Sequence, residues 1–335
     1  MVHSAAGTVL VCAVEGTELT PEEEKFFREV GPSGITIFGR NCPPGADLSR
    51  LIRQVQETRA TGAPPLVIAI DQEGGRVARL KAPFPNPGPA ATLAGGGDSP
   101  EALTQVRGIA RDIGVELAKL GINVNFAPVC DVLTEPSNTA IGDRAFGVNP
   151  ESVTRRAGSF LEGLHAAEVL GCLKHFPGQG AAKVDTHIGG AIIGLTRAEL
   201  EQWHLAPFRS LLPFAPMVMI SHCIYPALGP GEASSSKAVI LGLLKEELGY
   251  TGVVVSDDMN MGAVPQDPAS WQDAIVNAVA AGVDMVLVCR HLDRYELAFA
   301  ALTREASRSP AFRERLQDAA SRVSMMRKSL RPLQN

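Results

Sequence analysis

Eight short runs of apolar, mostly β-branched residues recur along the whole chain, and they limit its fold more than any other feature. They cover residues 8–14, 34–38, 66–70, 122–126, 170–173, 217–220, 252–255 and 283–288. Because successive residues in each run are apolar, each run is typical of a strand that is buried on both faces. Parallel sheets contain such strands, since helices cover both of their faces.

Amphipathic helical patterns lie between these runs, and several of them end in a glycine near the next run. Two apolar stripes at helical spacing are Val106, Ile109, Ile113 and Leu117, and Val153, Ala157, Phe160, Leu161 and Leu164. The glycines, which suit the left-handed C-terminal cap of a helix, are Gly31, Gly62, Gly121, Gly171, Gly249 and Gly282. This repeated unit predicts an α/β fold, the closed (β/α)8 TIM barrel. An open doubly wound sheet is the alternative, although no Gly-x-Gly-x-x-Gly pattern follows the first run.

The length of 335 residues suits one barrel, and we predict a single catalytic domain that spans residues 1–335. The Pro- and Gly-rich stretch 83–98 and the glycine-bounded stretch 178–190 are predicted to be loops of that domain. The hydrophobic share of 45% is sufficient for a large core.

Composition narrows the partners and the location. The net charge of −5 comes from interspersed acidic and basic residues, so no basic stripe is available for phosphate backbones. No apolar run is long enough to span a bilayer, and no basic leader precedes the first run. The six cysteines have no short paired spacing, which indicates reduced thiols. We therefore expect a cytoplasmic protein without nucleic-acid, membrane or obligate protein partners.

Polar and ionisable residues follow the predicted strands, at the end of the barrel where catalytic groups lie in such folds. In chain order they are Glu15, Arg40, Asn41, Asp71, Glu73, Arg76, Arg79, Asp131, Lys174, His175, His222, Asp257, Asp258 and Arg290. A single Asp after a strand is about as often the N-cap of the next helix, but accumulation over many strand ends favours an active site. His222 has no evident partner in the sequence and is left out of the catalytic set.

One stretch leads from a strand into a glycine-containing loop that carries an acidic residue and a histidine. Lys174 and His175 end the strand, and Asp185 and His187 lie in the loop. A carboxylate two residues before a histidine is able to fix the imidazole tautomer and raise its basicity, which suits proton transfer near neutral pH.

A second stretch ends a strand in two adjacent carboxylates, Asp257 and Asp258. Such a pair is able to present one carboxylate to the barrel mouth while the other caps the following helix. Asp257, the first residue after the apolar run, is the better candidate for the mouth.

Six motifs carry a resemblance to a known family. They are GITIFGRN at 34–41, DQEGGRVAR at 71–79, NFAPVCD at 125–131, IGDRAFG at 141–147, KHFPGQG at 174–180 and SDDM at 256–259. In this order they resemble glycoside hydrolase family three, and within it the single-domain bacterial β-N-acetylglucosaminidases of cell-wall recycling. The resemblance covers most of the chain.

The resemblance implies a site and a substrate. Asp257 would attack the anomeric carbon, and His187 with Asp185 would transfer the proton. The N-acetylglucosamine ring would be bound by Asp71, Arg79, Arg144, Lys174 and His175. The implied reaction removes non-reducing terminal N-acetylglucosamine from peptidoglycan-derived muropeptides, with no cofactor and no metal.

Three positions depart from the family pattern. Gln179 stands where these enzymes usually have histidine, Thr186 stands where they usually have serine, and no proline follows His187. The first two changes exchange one hydrogen-bonding group for another, and the third affects loop stiffness. They concern the fine positioning of His187 more than its identity.

A retaining mechanism needs a nucleophile and an acid/base roughly 5 Å apart. Larger family members that this chain resembles take their acid/base from an additional domain, so here we expect it to come from the barrel itself.

Three alternatives stay open. The same residues would support a phosphorylase, because an imidazole, unlike a carboxylate, does not repel an incoming phosphate. A metal-dependent barrel hydrolase would use His175, His187, His222 and Asp257 as ligands. A barrel that binds sugar without catalysis would show affinity and no turnover.

Overall fold

A closed ring of eight parallel strands forms the centre of the protein in the computed structural model, which describes residues 2–93, 95, 97–183 and 189–331. The strands in chain order are β1 (Leu10–Cys12), β2 (Gly34–Ile37), β3 (Val67–Ile70), β4 (Gln72–Gly74), β5 (Val77–Ala78), β6 (Val124–Asn125), β7 (Leu170–Phe176), β8 (Met217–Ile220), β9 (Val253–Asp258) and β10 (Met285–Leu287). All except β4 and β5 belong to the barrel, and β1 closes it by pairing in parallel with both β2 and β10. The predicted (β/α)8 TIM barrel is confirmed.

Side chains alternate between the interior of the barrel and the layer beneath the helices, as the period of two in a strand requires. The interior is filled by apolar and sulfur-containing side chains: Val11, Ala13, Val67, Ala69, Val124, Phe126, Cys172, Met217, Met219, Val253, Val255, Met285, Leu287 and Cys289. Their neighbours in sequence, such as Leu10, Ile68 and Val254, pack outward against the helices. Both faces of the strands are therefore buried, which explains the continuous apolar runs.

The helices surround the ring. They are α1 (Val2–Thr8), α2 (Pro21–Val30), α3 (Leu48–Glu57), α4 (Ala90–Leu93), α5 (Pro100–Leu120), α6 (Pro150–Ala166), α7 (Arg197–Glu199), α8 (Leu205–Leu211), α9 (Pro268–Ala281), α10 (Leu292–Arg308) and α11 (Pro310–Arg327). The described residues also form two π-helical segments, Leu200–His204 and Ala238–Glu247, and the 3-10 turns Gly39–Asn41, Gly142–Arg144, Leu212–Phe214 and Ala233–Ser235. No helix in the described part of the chain is long and apolar enough to cross a membrane.

The predicted helical stripes face the barrel. The α6 stripe is fully buried, and in α5 Val106, Ile113 and Leu117 are buried while Ile109 is partly exposed. Ser99 begins α5 by accepting the backbone N–H of Ala102, as an N-cap does.

The glycine predictions are confirmed in part. Gly31, Gly121 and Gly282 are the C-caps of α2, α5 and α9, with φ of 68°, 87° and 122°. The prediction for Gly171 is wrong, because this residue lies inside β7. A Cβ atom there would lie 2.4 Å from a methyl of Leu161, so the glycine serves close packing of β7 against α6.

All six cysteines are free thiols, and five of them are buried while Cys42 is half-buried. The antiparallel hairpin of β4 and β5 is an element that the hydrophobic pattern did not predict. It follows β3 directly and rises from the carboxyl end of the barrel, where it carries polar residues over the mouth.

Candidate active site

The ammonium group of Lys174 lies at the centre of a charged cluster at the carboxyl end of the barrel. Its Nζ is 2.7 Å from Oδ1 of Asp71 and 2.6 Å from Oε1 of Glu73. Lys174 comes from β7, whereas the two acids flank Gln72 just past β3. The side chain of Lys174 is only 2% exposed, so its charge is neutralised by protein groups and hardly by water.

A second cation completes the cluster from the other side. The guanidinium of Arg144 binds Glu73 through two parallel bonds of 2.8 Å, from Nε to Oε2 and from Nη2 to Oε1. It also donates to the carbonyl oxygen of Ala140 at 2.9 Å. A bidentate guanidinium–carboxylate pair fixes both planes, so Arg144 is held rigidly at the rim.

The backbone between the two acids is held by Asn125, which follows Val124 in β6. Its side-chain amide accepts the N–H of Gln72 at 3.0 Å and donates to the carbonyl of Gln72 at 2.9 Å. Asn125 is completely buried, so water does not compete for these bonds. They fix the backbone of Gln72 and thereby the directions in which the side chains of Asp71 and Glu73 point.

The cluster keeps its acids ionised and its cations charged. Burial by itself raises the pKa of Glu73, but Arg144 and Lys174 outweigh it and bring that pKa to about 2. Burial also raises the pKa of Asp71, yet Lys174 and Arg79 hold it well below the usual range. Burial lowers the pKa of Lys174, and the two acids reverse this so that the pKa is raised.

Arg79 reaches the mouth from the end of the β4–β5 hairpin. Its guanidinium is 3.1 Å from Oδ2 of Asp71 and lies over the ring of Phe38, 5.6 Å from the ring centre. Arg40 lies over the same ring at 4.7 Å, but it donates to the carbonyls of Val14 and Cys289. Arg40 therefore joins strand ends and does not line the cavity.

The imidazole of His175 has a partner that the sequence analysis did not assign. Nδ1 lies 2.7 Å from Oδ2 of Asp131, a side chain with no solvent exposure. Asp131 closes the motif NFAPVCD, which gave its position at a strand end but not its contact with a residue 44 positions later. Glu73 likewise appeared only as a strand-end residue, and its pairing with Lys174 and Arg144 was not predicted.

The two carboxylates at the end of β9 have different surroundings. Asp257 is partly exposed and lines the cavity, and its Oδ1 accepts the backbone N–H of Asp258 at 2.8 Å. Asp258 accepts from the backbone and side chain of Asn260 at 3.0 Å and from the N–H of Cys289 at 3.2 Å. It therefore binds a turn and a neighbouring strand end instead of capping a helix. Burial raises the pKa of Asp258.

Six of the predicted site residues meet at one cavity of about 270 Å³. They are Asp71, Arg79, Arg144, Lys174, His175 and Asp257, and the remaining lining comes from Arg76, Val77, Ala140, Gln179 and Met219. The cavity is small and mostly polar, which suits a small hydroxylated molecule. The two other predicted residues, Asp185 and His187, lie outside the described residues.

His222 supports the site from behind. Its Nδ1 lies 2.7 Å from Oγ of Ser234, and its Nε2 lies 3.2 Å from the carbonyl oxygen of Asp258. Both ring nitrogens are thus engaged, and the histidine secures the backbone that follows Asp257. In residues 2–93, 95, 97–183 and 189–331 no group of three or more His, Cys, Asp or Glu side chains is arranged to hold a metal ion.

Known proteins resemble this chain over almost its whole length. The family model for the glycosyl hydrolase family 3 N-terminal domain matches residues 10–326. A β-hexosaminidase of Idiomarina loihiensis is 36% identical over 284 residues, which are 84% of this chain and 83% of that protein.

Solved structures of related proteins show the same similarity. A glycoside hydrolase family 3 β-N-acetylglucosaminidase from Paenibacillus sp. str. FPU-7 gives a TM-score of 0.90 at 33% identity, with 98% of this chain and 62% of that chain covered. NagZ from Neisseria gonorrhoeae, in complex with N-trifluoroacetyl-D-glucosamine, gives a TM-score of 0.80 at 27% identity, with 95% and 98% covered.

The buried cluster should make the free energy of unfolding depend on pH in the acid range. Above its ordinary pKa of 4.5 Glu73 is ionised in both states, and with a folded pKa of about 2 its stabilisation is lost as pH falls between these values. Replacing Glu73 by Gln leaves Lys174 and Arg144 short of one partner, so we expect the free energy of unfolding at neutral pH to fall by about 3–5 kcal/mol.

Urea denaturation at several pH values measures this effect. The difference between the wild-type protein and E73Q should narrow as pH falls from about 4.5 towards 2. The matched control is E24Q, since Glu24 forms an exposed pair with Arg28 and should change stability by less than about 1 kcal/mol. A constant difference across the acid range would contradict the assignment of the low pKa to Glu73.

Proposed function

Because the chain belongs to glycosyl hydrolase family 3, we propose that it is a retaining β-N-acetylglucosaminidase that releases terminal N-acetylglucosamine from peptidoglycan-derived muropeptides. The observation that carries the proposal is the placement of Asp257, at the end of β9, on the same small cavity as Asp71, Lys174 and His175. The choice of N-acetylglucosamine as the sugar is supported by the β-hexosaminidase relative and by the complex of NagZ with N-trifluoroacetyl-D-glucosamine.

The polar lining suits a sugar ring better than a charged or apolar ligand. Lys174, Arg79 and Arg144 are already paired with Asp71 and Glu73, so the cations add little net attraction for an anion. Paired charges still offer N–H donors and carboxylate acceptors to neutral hydroxyls. We assign Asp71 and the residues around it to ring binding.

In the first proposed step a carboxylate oxygen of Asp257 forms a bond to C1 of the sugar. The bond from C1 to the aglycone oxygen breaks with its electron pair, and that oxygen takes a proton from His187. The result is a glycosyl-enzyme in which the configuration at C1 is inverted once.

In the second step water attacks C1 and restores the original configuration. The neutral imidazole of His187, supported by Asp185, takes a proton from the water as the bond from C1 to Asp257 breaks. The carboxylate of Asp257 is regenerated and N-acetylglucosamine leaves.

The aglycone and the setting follow from the resemblance and are also proposals. A muropeptide aglycone and a role in cell-wall recycling fit the single-domain enzymes whose motifs this chain shares. A cytoplasmic location goes with that role, and cell fractionation with an antibody against the chain tests it directly.

The stereochemistry and the acceptor are predicted together. An aryl β-glycoside of N-acetylglucosamine followed by NMR should give the β-anomer of the free sugar first, because two displacements retain configuration. The same products are expected in phosphate and in phosphate-free buffer. A first-formed α-anomer would contradict retention, and a sugar 1-phosphate in phosphate buffer would show that the enzyme is a phosphorylase.

Removal of the nucleophile gives the next prediction. Asp257→Ala should reduce turnover below about one thousandth of the wild-type rate, because no other group forms the glycosyl-enzyme. Binding of N-acetylglucosamine, measured by calorimetry, should persist, since the ring-binding residues stay in place. The control is Asp273→Ala, an exposed acid on α9, which should keep full activity. Near-normal rates in Asp257→Ala would refute the role of Asp257.

The acid/base is tested through the leaving group. His187→Ala should lower kcat/KM on the order of 10²–10⁴-fold for substrates with a poor leaving group, such as a chitobiose-type disaccharide. Activated aryl glycosides should lose far less, because their leaving oxygen needs little protonation. The control is His3→Ala, since His3 is an exposed histidine of α1. Equal losses on both substrate classes would mean that His187 is only structural.

A further inference from the structure

Asp131 is a completely buried carboxylate, and its hydrogen-bond partners among the described residues are all nitrogen atoms, two of the backbone and one of an imidazole. Its Oδ1 accepts the backbone N–H of Gln179 at 2.7 Å and, more weakly, that of His175 at 3.4 Å. Its Oδ2 lies 2.7 Å from Nδ1 of His175. One side chain therefore ties the imidazole of His175 to the first residues of the loop that follows β7.

This arrangement selects one form of the neutral imidazole. Oδ1 of Asp131 already accepts two backbone N–H groups, and hydrogen bonds from these groups and from His175 lower the carboxyl pKa against the effect of burial, so the carboxylate is ionised and has no proton to donate. The proton between Asp131 and His175 must then reside on Nδ1. Nε2 is left as an acceptor, on a residue that lines the cavity, with Nη2 of Arg144 3.5 Å away.

We propose that Asp131 is a positioning residue that holds His175 in the Nδ1–H form, so that Nε2 accepts a hydrogen bond from a hydroxyl group of the bound sugar. The sugar as ligand rests on the proposed function, whereas the tautomer is a property of the free protein. Asp131 itself touches no ligand and acts through His175.

Substitution of Asp131 by Asn reverses this polarity for a physical reason. An amide has one oxygen and one NH2 group, so one of the two sites at residue 131 must turn from acceptor to donor. The backbone N–H groups of Gln179 and His175 cannot become acceptors, but the imidazole can. The NH2 group should therefore face Nδ1, and the proton should move to Nε2, the wrong tautomer for a hydroxyl donor.

Nitrogen-15 NMR of the ligand-free protein measures the tautomer. The resonances of His175 are assigned by their loss in H175Q. In the wild-type protein we expect a pyrrole-type shift at Nδ1 and a pyridine-type shift at Nε2, and in D131N the reverse. The control is D98N, since Asp98 also bridges two donors, Ser152 and Arg156, without contact to an imidazole.

Either result of the NMR experiment decides the tautomer, even if D131N does not fold or the enzyme has another substrate. A wild-type imidazole protonated at Nε2 overturns the proposal. So does a folded D131N whose His175 keeps the wild-type pattern.

Steady-state kinetics test the contact with the sugar. In D131N the hydrogen bond from the sugar hydroxyl to Nε2 of His175 is lost. KM for an aryl N-acetylglucosaminide should therefore rise about tenfold, with kcat changed less than about threefold, because the contact exists in both ground and transition states. D98N should leave both constants unchanged. An unchanged KM in a D131N protein with the reversed tautomer would overturn the role of His175 as a hydroxyl acceptor.

Discussion

The buried ammonium group of Lys174 is the interaction on which the rest of the site depends. An unpaired charge at 2% exposure would be very costly, so Asp71 and Glu73 must both approach it, and Glu73 in turn requires Arg144. Strand β7 and the segment after β3 are thereby fixed to one another across the barrel mouth. Such a cluster is not an efficient source of stability compared with apolar packing. Its value lies in specifying where the polar groups stand.

The site is organised in two layers with different tasks. The layer that faces the cavity includes Asp71, Lys174, His175 and Asp257. The layer behind it consists of buried groups that orient the first: Asn125 holds the backbone between Asp71 and Glu73, Asp131 holds His175, and His222 holds the carbonyl after Asp257. Asn125 is the last residue of β6, Asp131 follows it by six residues, and His222 lies two residues past β8. The barrel therefore supplies the precision, since rigid strands place both layers.

The barrel and the cavity were predictable from the sequence because they rest on local patterns. Apolar runs gave the strands, and the resemblance placed six residues that do share one cavity. The contacts that were not predicted join residues that are far apart in the sequence. The pairing of Asp131 with His175 joins residues 44 positions apart, and hydropathy does not report which way a side chain points. Gly171 was misassigned because the left-handed residue before β7 is Glu168, with φ of 60°, and glycine there serves packing instead. Asp185 and His187 stay predictions.

The charges of the site distinguish Asp257 from the other acids. The site contains four carboxylates, those of Asp71, Glu73, Asp131 and Asp257, and four cations line the cavity. Arg79, Arg144 and Lys174 pair with Asp71 and Glu73, and Arg76 pairs with Asp143 outside this set. Asp131 is paired with an imidazole. Within the described part of the chain Asp257 accepts only a backbone N–H, so its negative charge is the least compensated at the cavity wall. An ionised carboxylate lowers the energy of positive charge nearby. That is the electrostatic setting that a nucleophile facing an oxocarbenium-like centre needs. Among the described residues, the ion pairs of the other acids are thus what distinguishes Asp257, and this agrees with the nucleophile role proposed for it.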